Sequence, residues 1–429
     1  MCDNLNYIRR KTMEKIRFGV IGYGQRGRSI TRGPLFSYDE VEVVAVCDAY
    51  ADRTETAADD VEKRYGKRPL ATTDYREVLS SSEVDAVYIA TSWEYHIEIG
   101  IEAMKAGKAV AMEVGGAYSL EELDELVKTY EATKAPFMLM ENCCFDKSEL
   151  LVTALVRDGK LGEIVHCSGA YAHDLRSEIS NGNIIRHYRL RNYTYRNCEN
   201  YPTHELGPIA KILNINRGNR MVSLVSMASK ARGLEEYVNS HPELVEKDPT
   251  LAGRRFAQGD IVHTMITCQN GETILLKLDT TLPRYYSREL KVRGTKGLYD
   301  QDLNQLFMDG DREGGGPDYV KTVLDNASQY EEEYLHPIWK NITPEERASG
   351  HGGMDGFEFR YFLKALKEGG EMPVDVYDAA SWMAITALSE RSIAMGGMPQ
   401  AIPDYTDGKW LLREPSDVVD FDECGFRKH

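Results

Sequence analysis

Three glycines near the amino terminus, Gly22, Gly24 and Gly27, have a spacing that suits phosphate binding. They follow an apolar segment, residues 16–21, that is typical of a buried strand, and a helix can begin at Ser29. The first glycine permits a tight turn, the second lets the backbone approach a pyrophosphate, and the third lets the helix lie close to the sheet. Free N–H groups at the helix start would face the phosphates. In this strand–turn–helix context the spacing predicts a dinucleotide site.

An acidic residue narrows the choice of cofactor. Asp48 ends the next apolar run, residues 41–48. A carboxylate there can accept hydrogen bonds from both hydroxyls of the adenosine ribose, and it would repel a 2′-phosphate. Arg53 is close enough in sequence to weaken that repulsion. The pattern predicts NAD rather than NADP, and we expect Gln25 and Arg26, between the glycines, to contact it as well.

The composition argues against several classes of partner. The chain has 429 residues and a formal net charge of −16, whereas nucleic acids and anionic membranes need a basic surface. No apolar run approaches the roughly twenty residues that cross a bilayer. Residues 1–15 lack the apolar core of a signal peptide, and the eight cysteines are scattered without the spacing of a zinc site. We therefore expect a cytoplasmic protein without a metal, a nucleic-acid partner or a membrane.

The order of predicted elements indicates an α/β protein with two different sheets. Apolar strands and helices alternate through the first third of the chain, and a capping box at Ser119 opens one of the helices. This alternation predicts a doubly wound parallel sheet of the Rossmann type. Beyond about residue 160, five strand-like runs predict an open, mostly antiparallel sheet: residues 163–171, 221–229, 261–268, 273–281 and 289–294.

These elements divide the chain into predicted domains. Residues 1–14 would be an N-terminal extension, 15–145 an NAD-binding Rossmann domain, and 146–429 an α+β domain for substrate binding and oligomerisation. Residues 299–350 have little periodicity, so we predict a long surface excursion there. Helices within 354–395 are expected to pack back on the first domain.

A cofactor domain followed by an open sheet resembles the Gfo/Idh/MocA family of NAD(P)-dependent sugar oxidoreductases. Two segments at predicted strand ends support this resemblance, Ala90–His96 and Met112–Gly115. It implies that Ser92, His96 and Glu113 line the cofactor cleft. Most dehydrogenases of the family carry Glu-Lys-Pro where this chain has Glu113-Val114-Gly115, and valine cannot move the proton that the lysine moves. The chain is therefore not an ordinary dehydrogenase, or another group handles that proton.

Downstream segments look like the NAD-dependent glycosidases of glycoside hydrolase family 109, typified by bacterial α-N-acetylgalactosaminidases. The segments are residues 141–144, 171–176, 187–192, 201–208 and 351–355. In the reaction that this resemblance implies, C3 of the sugar is oxidised by bound NAD. A base then removes the acidified C2 proton, the aglycone leaves from C1, water adds, and C3 is reduced again. In that branch a glycine commonly follows the Tyr-Pro-Thr-His run, whereas this chain has Glu205.

The resemblance also implies roles for four residues. His204 would take the proton of the C3 hydroxyl, because a neutral imidazole accepts a proton near neutral pH. Tyr171 would remove the C2 proton, helped by His173 on the same strand face as the cation that favours its phenolate. Tyr201 would be a second phenol near the sugar. The alternatives are a structural histidine that caps the nearby helix and core tyrosines with satisfied hydroxyls.

Further residues would bind substrate or cofactor. The arginines and the tyrosine near residue 188 can bind sugar hydroxyls or an acetamido group, and a solvated charged loop is the alternative. Glu141 would orient the nicotinamide side or a sugar hydroxyl. For His351 and Asp355 the alternative is that Asp355 caps a helix. The predicted substrate contacts are Arg186, Tyr188, Arg189, Glu205 and His351.

Three functions remain open at this point: an NAD-dependent glycosidase, an NAD-dependent sugar or polyol dehydrogenase, and a catalytically inactive NAD- and sugar-binding regulator. Val114 counts against the dehydrogenase, and the density of His, Tyr and Arg counts against the regulator. The substrate would be a small glycoside or an oligosaccharide, whose sugar and anomeric configuration the sequence leaves open. By resemblance, we expect a homo-oligomer.

Overall fold

The computed structural model describes residues 15–310 and 325–424, so the predicted N-terminal extension, residues 1–14, lies outside it. The strands, in chain order, are β1 Ile16–Ile21, β2 Val41–Cys47, β3 Leu70–Thr72, β4 Ala86–Ile89, β5 Ala109–Glu113, β6 Phe137–Met140, β7 Ile164–Ala172, β8 Met221–Ala228, β9 Ile261–Cys268, β10 Thr273–Asp279, β11 Lys291–Gly294, β12 Gly297–Asp300, β13 Gln305–Met308 and β14 Gln400–Ala401.

Helices connect these strands. The α-helices, in chain order, are α1 Gln25–Ile30, α2 Ala51–Tyr65, α3 Tyr75–Ser80, α4 Trp93–Lys105, α5 Leu120–Thr133, α6 Lys147–Arg157, α7 Arg176–Ser180, α8 Gly182–Ile185, α9 Arg189–Tyr195, α10 Thr203–Ile212, α11 Gly233–Ser240, α12 Pro242–Lys247, α13 Glu331–Tyr334, α14 Pro337–Lys340, α15 Pro344–Arg347, α16 Met354–Glu368 and α17 Val376–Ala394. A π-helical segment, Thr31–Leu35, follows α1, and short 3-10 segments are Asn142–Phe145, Pro249–Leu251, Asn326–Tyr330, His351–Gly353, Lys409–Leu411 and Phe421–Cys424. Within the described ranges, none of these helices has the length and hydropathy of a membrane span.

The described residues form two compact units. The first contains the residues up to 114 together with 119–142 and 342–380, and the second contains the remainder. The six-stranded sheet of the first unit has the order β3-β2-β1-β4-β5-β6, and all its neighbouring strands are parallel. This order confirms the predicted doubly wound sheet. Its central strands are almost wholly apolar because helices cover both faces, as parallel sheets require.

The predicted capping box at the start of α5 is present in the first unit. The Ser119 hydroxyl accepts from the Glu122 N–H at 3.2 Å, and the Glu122 carboxylate accepts from the Ser119 N–H at 2.9 Å. This reciprocal bonding satisfies two N–H groups that would otherwise lack partners at the start of α5. The capping box is therefore confirmed.

The eight-stranded sheet of the second unit has the order β13-β12-β11-β7-β10-β9-β8-β14. The pair β7 and β10 is parallel, and the other pairs are antiparallel. Side chains of β9 alternate between buried and exposed, so one face of the sheet packs on the core. Gly271 adopts a φ of +101° in the turn between β9 and β10, which is the conformation that the Asn-Gly pair favours. The predicted open, mostly antiparallel sheet is confirmed.

The prediction of a long surface excursion over 299–350 is wrong in part. Strands β12 and β13 form a hairpin that pairs with β11 and extends the second sheet. These strands have four residues each, so they are too short to give a clear alternation of apolar and polar residues. Residues 311–324 lie outside the described chain.

Candidate functional site

The glycine loop of the first unit has the shape that a pyrophosphate needs. Gly22 has a φ of +97°, and a Cβ there would lie 2.4 Å from the Ala90 carbonyl oxygen. A Cβ at Gly27 would lie 1.9 Å from the Gly22 carbonyl oxygen. Beside Gly24, in contrast, the nearest atom to such a Cβ belongs to the mobile end of Arg53, at 3.5 Å. Gly22 and Gly27 thus close the turn, and Gly24 leaves the backbone accessible to phosphate oxygens.

Asp48 is fixed at the end of β2 by backbone hydrogen bonds. One carboxylate oxygen accepts from the Tyr23 N–H at 2.7 Å and the other from the Tyr50 N–H at 3.0 Å. Each oxygen has a further lone pair, so the carboxylate retains the capacity to accept from ribose hydroxyls. The loop and Asp48 together fit NAD. That Asp48 contacts the ribose remains a prediction.

Arg26 does not project freely from the glycine loop. Its guanidinium donates to Glu113 at 2.8 Å and to both oxygens of Asp355 at 2.8 and 3.2 Å. Glu113, at the end of β5, also accepts from the buried Tyr88 hydroxyl at 2.8 Å. Both predicted cofactor residues, Arg26 and Glu113, are therefore held in an ion cluster that joins the loop to β5 and α16.

Asp355 is the centre of this cluster. It also accepts from the Asn142 amide at 2.7 Å and lies 2.9 Å from Nδ1 of His351. Burial alone would raise the pKa of Asp355, but the charge of Arg26 and the bond to His351 hold that pKa well below its ordinary range. The alternative that Asp355 caps a helix is wrong, because Gly353 occupies the N-cap of α16 and no side chain caps it.

A buried acid that the sequence analysis missed lies beside the cluster. Glu358 is one turn beyond Asp355 on α16 and is fully buried. Burial, and then the charge of Glu113, raise the pKa of Glu358 well above its ordinary value. Its position three residues after Asp355 was the available signal, since both side chains lie on one helix face.

The remaining predicted cofactor residues differ in exposure. His96 is 2% exposed, and burial lowers its pKa to about 4, so the neutral ring donates from Nε2 to the Thr91 carbonyl at 2.9 Å. It therefore braces the turn after β4. Ser92, the N-cap of α4, is half-buried, Gln25 is exposed at the start of α1, and Glu141 is fully buried. Direct contact of each with NAD remains a prediction.

In the second unit, three predicted catalytic side chains lie together. The ring centroid of Tyr171 lies 4.5 Å from that of Tyr201 and 5.5 Å from that of His204, and Tyr201 and His204 are 4.7 Å apart. Strand β7 supplies Tyr171, and the segment that enters α10 supplies the other two. We call these residues the aromatic cluster. Pro202 is the N-cap of α10 without a side-chain cap bond, so His204 does not serve as the cap.

Arg189, rather than His173, is the cation beside Tyr171. The guanidinium lies 6.0 Å from the Tyr171 ring and 5.3 Å from the Tyr201 ring, and it pairs with Glu178 at 3.1 Å. Burial raises the pKa of Tyr171, and Arg189 opposes that rise. Burial lowers the pKa of His173, so its ring is neutral near pH 7 and supplies no charge. The expectation that His173 stabilises the phenolate is corrected here: its ring is 6.1 Å from Tyr171, but it is uncharged.

The predicted substrate-binding residues fall in different places. Arg186 is exposed in the left-handed conformation that ends α8, and Tyr188 stacks on His187 with ring centroids 4.4 Å apart. Glu205 is 2% exposed, which argues against direct contact with a sugar. His351 belongs to the first unit, beside Arg26 and Asp355.

A polar chain continues from His173 and was missed in the sequence. Tyr286 lies 5.2 Å from the His173 ring, and its hydroxyl accepts from Arg288 at 3.1 Å. Arg288 in turn donates to Glu149 at 2.7 Å and pairs with Asp146 at 2.8 Å. The dense charged and aromatic run at 284–289 was the signal that could have indicated it.

Comparison with known proteins identifies the family. Residues 145–412 match the family model described as glycosyl hydrolase 109, C-terminal domain, and residues 16–141 match that of the oxidoreductase family with an NAD-binding Rossmann fold. A glycosyl hydrolase family 109 protein of Stenotrophomonas maltophilia is 38% identical, with 94% of this chain and 91% of the relative aligned. An α-N-acetylgalactosaminidase of Tannerella forsythia is 35% identical, with 94% and 88% aligned.

A solved structure supports the fold. Levoglucosan dehydrogenase in complex with NADH and levoglucosan matches with a TM-score of 0.67 over 91% of this chain and all of that chain, at 20% identity. At that identity the likeness shows the fold alone. The sequence matches extend along nearly the whole chain and favour the glycosidase over the plain dehydrogenase. The chain therefore belongs to glycosyl hydrolase family 109, and it is an NAD-dependent glycosidase on an oxidoreductase-type fold.

Proposed function

We propose that this enzyme cleaves the glycosidic bond of an α-N-acetylgalactosaminide, or of a closely related small glycoside, without net oxidation. Two relatives that are 35% identical are named α-N-acetylgalactosaminidase, and this supports the substrate class. The observation that carries the proposal is the aromatic cluster, in which two phenols and an imidazole lie within 5.5 Å of one another beneath a guanidinium. A binding protein without catalysis would not need this set of acid–base groups.

Each member of the cluster has one proposed task. Bound NAD supplies a hydride acceptor and donor for C3 of the sugar. His204 takes the proton of the C3 hydroxyl as C3 is oxidised, and returns it when C3 is reduced. Tyr171 removes the C2 proton, with Arg189 favouring its phenolate. Tyr201 holds the substrate beside these two groups.

The residue that follows Glu113 supports a glycosidase as well. Val114 is buried and carries no proton. Most dehydrogenases resembling this chain have a lysine there to remove the hydroxyl proton. The proposal assigns that proton to His204 instead, in the first turn of α10.

The test is a panel of nitrophenyl α- and β-glycosides, with α-N-acetylgalactosaminide among them, followed in H₂O and in D₂O. We expect colour release from the matching glycoside, no accumulation of NADH, and deuterium at C2 of the released sugar. A direct displacement never breaks the C2–H bond. Release of a fully protonated sugar in D₂O would therefore refute the proposed route, and accumulation of NADH would indicate a dehydrogenase.

Two variants separate the proposed tasks. His204→Ala should abolish oxidation at C3, because the hydroxyl proton has no acceptor. Tyr171→Phe should still permit reduction of bound NAD by the glycoside, seen as absorbance in a single turnover, but should block cleavage and exchange at C2. Tyr195→Phe is the matched control, since Tyr195 is 75% exposed on α9, and its activity should equal that of the wild type. Normal cleavage by both active-site variants would refute the assignment.

We also propose that the enzyme forms a homo-oligomer through the outer face of its second sheet. Met265 is 42% exposed at the centre of β9, opposite Val225 of β8 and Leu275 of β10. Met227, on β8, is 66% exposed. Apolar side chains grouped on an open sheet face are typical of a protein interface. Light scattering should give a mass above that of one chain, and Met265→Glu should reduce it.

We further propose a cytoplasmic location. Five cysteines of the described chain are free thiols, which suits a reducing compartment: Cys47, Cys167, Cys198, Cys268 and Cys424. Fractionation of cells that express the full-length native gene should place the enzyme with cytoplasmic markers. Recovery in an oxidising compartment would contradict this proposal.

A further inference from the structure

A cation from the next helix lies against the open side of the glycine loop. One guanidinium nitrogen of Arg53 is 3.5 Å from the position that a Cβ at Gly24 would take. Gly24 is the residue at which the loop leaves its backbone accessible to phosphate oxygens. The end of the Arg53 side chain therefore lies beside the place where a diphosphate binds in a loop of this kind.

The neighbours of Arg53 link it to the residue that is predicted to contact the ribose. Arg53 lies in the first turn of α2, where its N–H donates to the Tyr50 carbonyl at 3.0 Å. Its guanidinium lies 5.1 Å from the centroid of the Tyr50 ring, which is a cation–π distance. The Tyr50 N–H in turn donates to the Asp48 carboxylate at 3.0 Å. Tyr50 thus positions both the guanidinium at the loop and the carboxylate at the end of β2.

Two other arginines near the loop already pair with carboxylates. Arg26 donates to Glu113 and to both oxygens of Asp355, so the positive charge of the loop's own arginine is balanced within the protein. Arg28 pairs with Asp60 at 3.3 Å. The diphosphate of NAD brings negative charge to this loop, and burying that charge is costly unless a cation accompanies it. Arg53 is placed to be that cation.

We propose that Arg53 binds the diphosphate of NAD and balances its negative charge. A guanidinium presents its N–H donors in a planar fork, which suits bidentate binding of phosphate oxygens. Arg53 is five residues after Asp48, so the sequence alone associates it with a 2′-phosphate on the ribose, whereas the contact at Gly24 favours the diphosphate. This proposal concerns cofactor binding only, so it holds or fails independently of the glycosidase reaction.

Calorimetric titration with NAD tests the contact on the full chain freed of nucleotide. Arg53→Gln should raise the Kd of NAD about tenfold or more, as expected for the loss of a charge-assisted hydrogen bond. Arg53→Lys keeps the charge but loses the planar fork, so its Kd should lie between those of the wild type and Arg53→Gln. An unchanged Kd in Arg53→Gln would overturn the proposal.

The matched control is Arg28→Gln, which removes a charge from the same part of the unit. Arg28 is 47% exposed and pairs with Asp60, so its replacement should change the Kd of NAD by less than about twofold. An equal loss of affinity in both variants would indicate a general effect of charge and would also overturn the contact. Arg53 is only half-buried, so without nucleotide each variant should have the circular dichroism spectrum and the melting temperature of the wild type.

Further ligands separate the diphosphate from the other parts of the cofactor. NAD and NADP share the diphosphate, so Arg53→Gln should weaken both by the same factor, and the same should hold in the Asp48→Ala background, where a 2′-phosphate is not repelled. A larger loss for NADP would place Arg53 at the 2′-position and overturn the proposal. ADP should also bind more weakly to Arg53→Gln, whereas adenosine, measured by competition with NAD, should bind both proteins equally. Weaker binding of adenosine would place Arg53 on the base or the ribose, which also overturns the proposal.

Discussion

Replacement of Asp355 by asparagine should destabilise the first unit substantially. In the native protein the carboxylate accepts two hydrogen bonds from Arg26 and one from Asn142, and it lies 2.9 Å from Nδ1 of His351. An asparagine side chain offers one acceptor oxygen and one donor group. Whichever way the amide is turned, its NH₂ group meets an N–H of Arg26. The variant Asp355→Asn therefore loses both a charge and at least one charge-assisted hydrogen bond.

The size of the expected loss of unfolding free energy follows from the burial of the ion pair. Breaking a fully buried ion pair costs about 3–5 kcal/mol of unfolding free energy. The Arg26 side chain is 28% exposed and keeps its bond to Glu113, so part of its charge remains solvated and paired. We therefore expect the lower end, about 3 kcal/mol. The double variant with Arg26→Gln should lose less than the sum of the two single losses, because the two residues share one interaction.

Urea unfolding followed by tryptophan fluorescence measures this loss, since Trp93 is buried in the first unit. The matched control is Asp59→Asn, whose carboxylate pairs with Arg68 on the surface of the same unit and whose loss should leave the midpoint unchanged. Because the pKa of Asp355 is lowered in the folded protein, its contribution is present above the unfolded pKa and is lost as the pH falls through the folded one. The difference between wild type and variant should thus narrow below about pH 4. A loss of unfolding free energy below about 1 kcal/mol at pH 7 would refute the proposed contribution of Asp355 to the ion cluster.

Three further outcomes follow from the two units. Asp48→Ala should weaken the binding of NAD more than the binding of NADP, as measured by calorimetry on one preparation. The variant loses the acceptors for the ribose hydroxyls, but it also loses the repulsion of a 2′-phosphate. Equal losses of affinity would show that Asp48 does not contact the ribose. Gly27→Ala should abolish NAD binding, since its Cβ would meet the Gly22 carbonyl at 1.9 Å, and unchanged affinity would contradict that contact. Arg189→Gln should raise the pKa of Tyr171 further, so the rise of kcat with pH should move to higher pH; Arg186→Gln, an exposed neighbour, should leave it in place.

The elements that could be predicted are those specified by neighbouring residues. The capping box at Ser119 depends on side chains within a few positions, and it occurs as expected. The turn at Gly271, with its φ of +101°, is likewise set by its own short segment. The conformation of the glycine loop is likewise specified by three nearby residues, Gly22, Gly24 and Gly27. The two sheets follow from the change in strand and helix order near residue 160.

The features that could not be predicted depend on residues far apart in the chain. Arg26 and Asp355 are 329 positions apart, so no local pattern shows that the arginine is held in an ion cluster. Arg189 and Tyr171 lie on different elements, and only the fold shows that Arg189 supplies the charge first assigned to His173. The burial of Glu199 and Glu205 is likewise set by the fold, because charged residues are rarely buried and the sequence around them does not indicate it.

The contacts of Glu113 explain why the proposed acid–base groups belong to the second unit rather than to the end of β5. In the first unit, the end of β5 carries Glu113, and Tyr88 and Arg26 fix its carboxylate through direct hydrogen bonds. The next residue is Val114, which cannot carry a proton. The strand end that serves proton transfer in related dehydrogenases is therefore committed to holding the glycine loop and α16. In the proposed reaction the aromatic cluster of the second unit carries proton transfer instead, with an imidazole for the hydroxyl and a phenol for the carbon acid. A dehydrogenase needs only the first of these, so on this proposal the phenol beside Arg189 is the feature that favours bond cleavage over oxidation.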